Sequence, residues 1–578
     1  MRIQLIQIKF LHKIYRTECF IHSKVVSVFS SVQRSHGSIK MRVLFLISLI
    51  YLVNNAHSTN IRIDPLVKID QGLVRGIKSV EDGFSSFLGI PYAQVDMNNP
   101  FGQSLPHPGF EEEIYNAYDG SKKCPQAYVH PYVPRAARDS DETLDCLRLN
   151  IYVPNVASSQ NPLPVLVWIH GGVFAIGSAG DYGVRNLVKK GIIVVTINYR
   201  LGPYGFMCLD VPSVPGNQGL KDQNAALRWI RENINSFGGN PYNVTIAGQS
   251  AGSSSVLLHL YSDKEKLFSK VIAESGVPQV DGMFVEGDND AALKLAYHLG
   301  FNTTNTEEAL SFLSKTSHTL VSGATSELQL ELRPCVEKSF SGIENFVESD
   351  PYTLSNARKV RNTPIMIGHT TTEQAGSLDF GDDYFNRDIF REKLTRNFNM
   401  DDATLDSAAK IIRHFYIGDD PISQSLTTEL ENFESDFVFS HPIQRTITSL
   451  LNENANPVYA YEFSYVGNSE ISRAAHSAEL QYLFELSNSV DRNEDDQLIT
   501  DRLTTMWANF VKNGNPTPTA TDLCPVIWKP VTEDTRPYLV IDIDIRMENR
   551  ITKERTAFWD LFYSLYGKYN KLSRDCDF

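Results

Sequence analysis

Residues 243–255 read NVTIAGQSAGSSS. A β-branched approach (Val244, Thr245, Ile246) runs into Gly248, Gln249, Ser250, Ala251 and Gly252, and a stretch that suits a helix follows. Two readings compete for Ser250. Glycine and serine dominate turns for conformational reasons alone, so this is an ordinary turn serine in the first. In the second, a strained strand-to-helix elbow holds the hydroxyl exposed as a nucleophile, and small neighbours let the chain pack tightly around it. Five residues do not choose between the two; the surrounding pattern and the partners do.

Upstream, PVLVWI (164–169) is a short apolar run bounded by proline and glycine, and it empties into His170, Gly171, Gly172, Val173 and Phe174. A second such run, IIVVTINY (192–199), precedes the helical pattern LKDQNAALRWIRENI (220–234), and the strand entering Gly248 comes next. This alternation is that of a parallel sheet covered by helices, an α/β fold. A serine hydroxyl is a weak nucleophile unless a histidine takes its proton, and the histidine needs a carboxylate to hold its tautomer. On this kind of sheet the order is serine, acid, histidine. PIMIGHTTTEQAG is a strand run ending in a polar loop with Glu373, and VYAYEFSY precedes a loop and then AAHSAELQYLF, which places His476 at the start of an apolar helix pattern. His369, near the acid, reads as structural.

The chain has 578 residues, 42% of them apolar, and carries a formal charge of −14. It shows no low-complexity linker and no internal repeat, so one large domain is expected over 59–578. Residues 1–40 hold seven Lys/Arg against one acid, Glu18, and read as a gene-model extension ahead of a true start at Met41. Met41 then opens MRVLFLISLIYLVNNAHS, the layout of a secretory signal peptide over 41–58, too short to span a bilayer. Removing 1–58 takes away eight basic residues and one acid and leaves a charge of −21. So acidic a body argues against nucleic acid and anionic membranes as partners, and the polar end KYNKLSRDCDF is no membrane anchor. A secreted protein is expected. None of the remaining cysteines falls in a cluster with zinc spacing, so no metal site is expected. Cys124 and Cys146 could close a short loop worth about 3 kcal/mol in an oxidising compartment, and Cys208, inside the apolar GFMCL, reads as a buried thiol. Asn302, in NTT, is a candidate glycan acceptor, whereas burial argues against Asn243. The acidic runs Glu111–Glu113 and Asp382–Asp383 read as solvated faces.

FGGNPYNVTIAGQSAG (237–252) resembles the nucleophile signature of the type-B carboxylesterases, α/β-hydrolases that include cholinesterases and insect juvenile hormone esterases. DCLRLNIYVP (145–154) resembles the family's second signature, and FLGIPYA, NYRLGPYGF, GNQGLKDQNAALRWI and AFWDLF are similar to further family motifs. The resemblance runs from about Asp64 to Tyr566. It implies an α/β-hydrolase fold, a mostly parallel central sheet flanked by helices, with Ser250 as nucleophile, Glu373 as acid and His476 as base. It further implies the backbone N–H groups of Gly172, Val173 and Ala251 as oxyanion donors, a Cys124–Cys146 disulfide, and no cofactor.

Several positions depart from the family pattern. Val173 stands where many members have a glycine, which predicts a narrow acyl side; Arg473 and Gln374 also replace glycines, and PFGQSLPHP lacks a common Arg-Phe pair. None removes a catalytic atom. The expected activity is hydrolysis of a neutral, apolar carboxylic ester, as in clearance of semiochemical, xenobiotic or hormone esters. A short acyl group such as acetate suits Val173; juvenile hormone, a methyl ester of a long acid, is the rival because Gln249 is shared with its esterases. The competing class is a non-catalytic adhesion or binding protein, since fold alone does not decide function.

Overall fold

The computed structural model describes residues 64–79, 81–127, 141–378, 384–467, 469, 471–486 and 492–572. The expected extension 1–40, the expected signal peptide 41–58, the Asp382–Asp383 run and Cys576 lie outside the described residues. From Asp64 onward the chain forms one compact unit.

Its centre is an eleven-stranded sheet. In chain order the strands are β1 (Ile77–Ser79), β2 (Phe84–Pro91), β3 (Arg148–Pro154), β4 (Leu163–Ile169), β5 (Ile193–Ile197) and β6 (Gly239–Gln249). β7 (Lys270–Glu274), β8 (Ile365–Thr370), β9 (Val458–Phe463), β10 (Pro537–Ile541) and β11 (Arg546–Asn549) complete it. The spatial order is β11-β10-β9-β8-β7-β6-β4-β5-β3-β2-β1. Pairing is parallel from β10 through β5 and antiparallel at both edges. The α/β-hydrolase architecture expected from the sequence is therefore the one observed.

The central strands are apolar without interruption because both sheet faces are covered. Side chains alternate between the faces. Val165, Val167 and Ile169 enter one core with Val195, Ile246 and Val271, while Leu166 and Trp168 enter the other with Val194, Ala247 and Ile272. Helix α1 (Gln218–Asn233) supplies Leu220, Ala226, Leu227 and Ile230 to the first core, and α2 (Ala251–Tyr261) is buried along its whole length. α3 (His441–Asn452) packs on the same side, whereas α4 (Glu494–Asn513) adds Ile499, Leu503, Met506 and Phe510 to the second. Asn493 and Asp496 form a capping box at the start of α4, and Gly514 closes its end in the left-handed conformation. α5 (Lys553–Tyr566) buries Trp559. The NYRLGPYGF and GNQGLKDQN motifs meet in a fully buried ion pair, Arg200 to Asp222 at 2.7 Å, whose guanidinium also donates to the carbonyls of Pro100 and Gly102. Those extra partners are what makes so deep a charge tolerable.

Cys124 and Cys146 are joined. Cys208 is not the buried thiol expected: it is bonded to Cys335, 127 residues away. Its apolar neighbours signalled burial and said nothing about the strand of chain lying opposite. Gly216, at φ 115°, lets the backbone pass, since a Cβ there would sit 2.8 Å from both sulfurs. Cys524 is buried and free. The helix expected to begin at His476 is shorter than its pattern. His476 sits in a turn and only Leu480–Leu483 is helical, because Glu485 pairs with Gly183 and Phe484 turns extended to pack on Trp168 and Tyr182. Among the described residues no helix is long and apolar enough to cross a membrane.

Candidate active site

The parallel strands deliver their C-terminal ends to one edge of the sheet, where open α/β sheets place their sites. Ser250 sits there between β6 and α2, 4% exposed, with φ 57° and ψ −122°, a conformation that L-residues avoid. The glycines on either side have a steric cause. A Cβ on Gly248 would lie 2.5 Å from the Gly252 carbonyl, and one on Gly252 would lie 2.0 Å from the carbonyl oxygen of Ile169. The Ser250 N–H donates to the carbonyl of Glu274 at 2.9 Å, so the end of β7 anchors the elbow. The backbone here is that of a sharp strand-to-helix elbow.

Glu373 lies in the turn after β8 and is 1% exposed. Its Oε1 accepts from the Thr370 N–H at 2.8 Å and the Ser275 hydroxyl at 2.7 Å; its Oε2 lies 2.5 Å from His476 Nδ1. The His476 N–H also donates to the Glu373 carbonyl at 3.1 Å. Burial pushes the Glu373 carboxyl up, but the facing imidazole and the Ser275 hydroxyl outweigh it and hold the group below the ordinary glutamate range. Burial pulls His476 down, and the charge and hydrogen bond of Glu373 more than reverse that, leaving the imidazole above its ordinary value. The Phe439 ring packs on His476 with centroids 4.8 Å apart. On its outer side, His476 Nε2 lies 3.1 Å from Gln249 Nε2, which makes Nε2 the acceptor and Nδ1 the protonated nitrogen. No hydrogen bond joins Ser250 Oγ to the ring, a contact that such sites often complete only with substrate bound.

The loop after β4 carries Gly172, Val173 and Phe174 at φ 104°, 49° and 59°. Three consecutive residues on that side of the map, one of them β-branched, mark a constrained turn. Gly172 has no room for a side chain, since a Cβ there would lie 2.2 Å from the Ile176 carbonyl oxygen. Among the described residues the N–H groups of Gly172, Val173 and Ala251 have no acceptor. His170 and His369 are both buried, each with Nδ1 against a neighbouring backbone carbonyl.

Sequence reasoning missed several groups here. Ser275, which orients Glu373, could have been found as a polar residue before glycine at the end of an apolar strand. Gln249 was noted as a neighbour of the serine and not as a partner of the histidine. Arg473 pairs with buried Glu431, which also accepts the Gly376 N–H, while the Gln374 N–H donates to Ser435. The two glycine replacements thus brace the acid and histidine loops against one helix. Behind the site Glu274 and Glu479 are fully buried; the Trp507 indole donates to Glu274 at 2.7 Å, and neither carboxylate oxygen of Glu479 has a partner. Burial, and for Glu479 the nearby Glu274, raises both carboxyls. Asn302 is exposed, whereas Asn243 is half-buried and holds Lys270. No group of His, Cys, Asp and Glu among the described residues is arranged to hold a metal ion.

Residues 63–559 match the carboxylesterase family. The chain is 30% identical to a juvenile hormone esterase of Heliothis virescens over 495 residues, 78% of this chain and 85% of that protein. It is likewise 30% identical to Esterase FE4 of Myzus persicae over 554 residues, 89% and 93% of the two chains. The crystal structure of juvenile hormone esterase from Manduca sexta, with OTFP covalently attached, superposes with a TM-score of 0.73 at 27% identity, covering 87% of this chain and all of that one.

Proposed function

Because the chain belongs to the carboxylesterase family and is a carboxylic-ester hydrolase, we propose that it works through Ser250, His476 and Glu373 on neutral, apolar esters. The observation that carries this reading is the buried Glu373 carboxylate 2.5 Å from His476 Nδ1, on a ring whose other nitrogen faces the elbow. Ser250 Oγ attacks the ester carbonyl carbon as His476 Nε2 takes its proton, displacing the Gln249 amide. Charge develops on the carbonyl oxygen, toward the unpartnered N–H groups of Gly172, Val173 and Ala251, each worth about 3 kcal/mol in comparable sites. Collapse breaks the bond to the alcohol oxygen, which receives the proton from Nε2. Water then attacks the acyl-serine with the same proton traffic, releasing the acid and restoring Ser250. Glu373 stays ionised throughout and stabilises the imidazolium.

Val173, held at φ 49° beside the oxyanion donors, favours short acyl groups. The leader over 41–58 and two disulfides favour export to an oxidising compartment. A fluorophosphonate should label the peptide containing Ser250, and Ser250→Ala should abolish both labelling and aryl acetate hydrolysis, by about 10⁴-fold or more. Retained turnover in that variant sinks the assignment. Amino-terminal sequencing of exported protein should begin near Thr59.

A further inference from the structure

A cleft of about 750 Å³ opens between the outer side of α3, the start of β10 and the amino end of α5. Four cations line it, Arg445, Arg536, Arg550 and Lys553, against a single carboxylate, Asp560. That balance is opposite to the chain as a whole, at −14. Asp560 is already engaged by His441 Nε2 at 3.1 Å. Arg445 lies over the rings of Tyr352 and Tyr563, which fix its position. Among the described residues neither Arg536 nor Arg550 makes an ion pair, whereas Lys553 meets Glu554 at 3.7 Å. Burial, and then the like charge of Arg550, lower the Arg536 pKa in spite of Asp560. Arg550 is held against it through the backbone, where its N–H donates to the Arg536 carbonyl at 2.8 Å. Two more features favour negative charge. The first turn of the 14-residue helix α5, with Lys553 and Thr556, opens on the cleft. Gln444, 9% exposed on its wall, has a side-chain amide nitrogen with no partner.

Holding Arg536 and Arg550 together with no ion pair among the described residues is costly unless something of opposite charge joins them. Planar guanidinium forks match tetrahedral oxyanions two bonds at a time. We propose that this cleft binds a small ligand carrying two or more phosphate or sulfate groups, at a site separate from the esterase centre. Nothing in it depends on the proposed triad.

The test is calorimetric titration of the whole protein at about 0.15 M ionic strength, where diffuse surface attraction is screened beyond roughly 8 Å. Inorganic pyrophosphate is the phosphate probe and a sulfated disaccharide the sulfate probe; the tighter one identifies the source. Saturable one-to-one binding of at least one is expected. The pair Arg550→Glu and Lys553→Glu, both at exposed positions, should weaken it at least about tenfold with aryl acetate hydrolysis unchanged. Gln444→Met should weaken it with an unchanged melting temperature. Lys68→Glu, exposed and outside the cleft, should leave it unchanged. Failure of both probes to saturate, or equal weakening by Lys68→Glu, overturns the proposal.

Discussion

Gln249 Nε2 lies 3.1 Å from His476 Nε2, so the residue before the elbow serine, and not the serine, holds the outer nitrogen of the imidazole. A donor in that position stabilises the neutral ring and keeps its lone pair directed at the elbow. Glu373 on the opposite nitrogen pulls the other way and raises the imidazole pKa. On the proposed mechanism the neutral ring is the base, so kcat/KM should rise with pH, with its inflection above the ordinary histidine value, and then level off. Gln249→Glu replaces the donor with a carboxylate, favours the imidazolium further and moves the inflection to higher pH; Glu373→Gln moves it lower. A pH profile of aryl acetate hydrolysis for the three proteins checks the directions.

Val173 is a β-branched residue held at φ 49°. Val173→Gly should relieve backbone strain of about 1 kcal/mol and, on the proposed reading, open the acyl side. The expected outcome is a rise of about tenfold in the ratio of kcat/KM for a hexanoate over an acetate of the same alcohol. An unchanged ratio shows that acyl length is read elsewhere. Comparing an acetate of a long-chain alcohol with a methyl ester of a long-chain epoxy acid then separates the two substrate classes, which place their bulk on opposite sides of the carbonyl.

The Cys208–Cys335 bond closes a loop with a sequence separation of 127, against 22 for Cys124–Cys146. Replacing both Cys208 and Cys335 by serine should cost about 2–4 kcal/mol, read by urea unfolding, with KM little altered because neither residue touches the elbow.

Glu274 and Glu479 are buried carboxyls whose pKa values lie above the unfolded value of 4.5. The native state then holds more protons than the unfolded chain between that value and the raised ones, so stability falls as pH rises through this window. Glu479→Gln cannot ionise and should flatten the fall. Melting temperatures from pH 5 to 9 for the two proteins check it; parallel curves contradict it.

Five of the parallel strands, β4, β5, β6, β8 and β9, and their order along the chain were legible from local pattern. Uninterrupted apolar runs at 164–169 and 192–199 mark strands buried on both faces, and GQSAG marks a turn in which only small residues clear the neighbouring carbonyls. Ser250, Glu373 and His476 each follow such a run, and the fold brings Glu373 against His476. The helix after His476 was overcalled, since its apolar period is shared by a segment that pairs with Gly183 instead. Cys335 opposite Cys208, Ser275 under Glu373, Glu431 bracing Arg473, and the four cations of the outer cleft were not legible at all. Periodicity records whether a side chain is buried and on which face of its own element. It carries no information about which element from a hundred residues away is packed against that face, and in each of these cases the chemistry belongs to the pair.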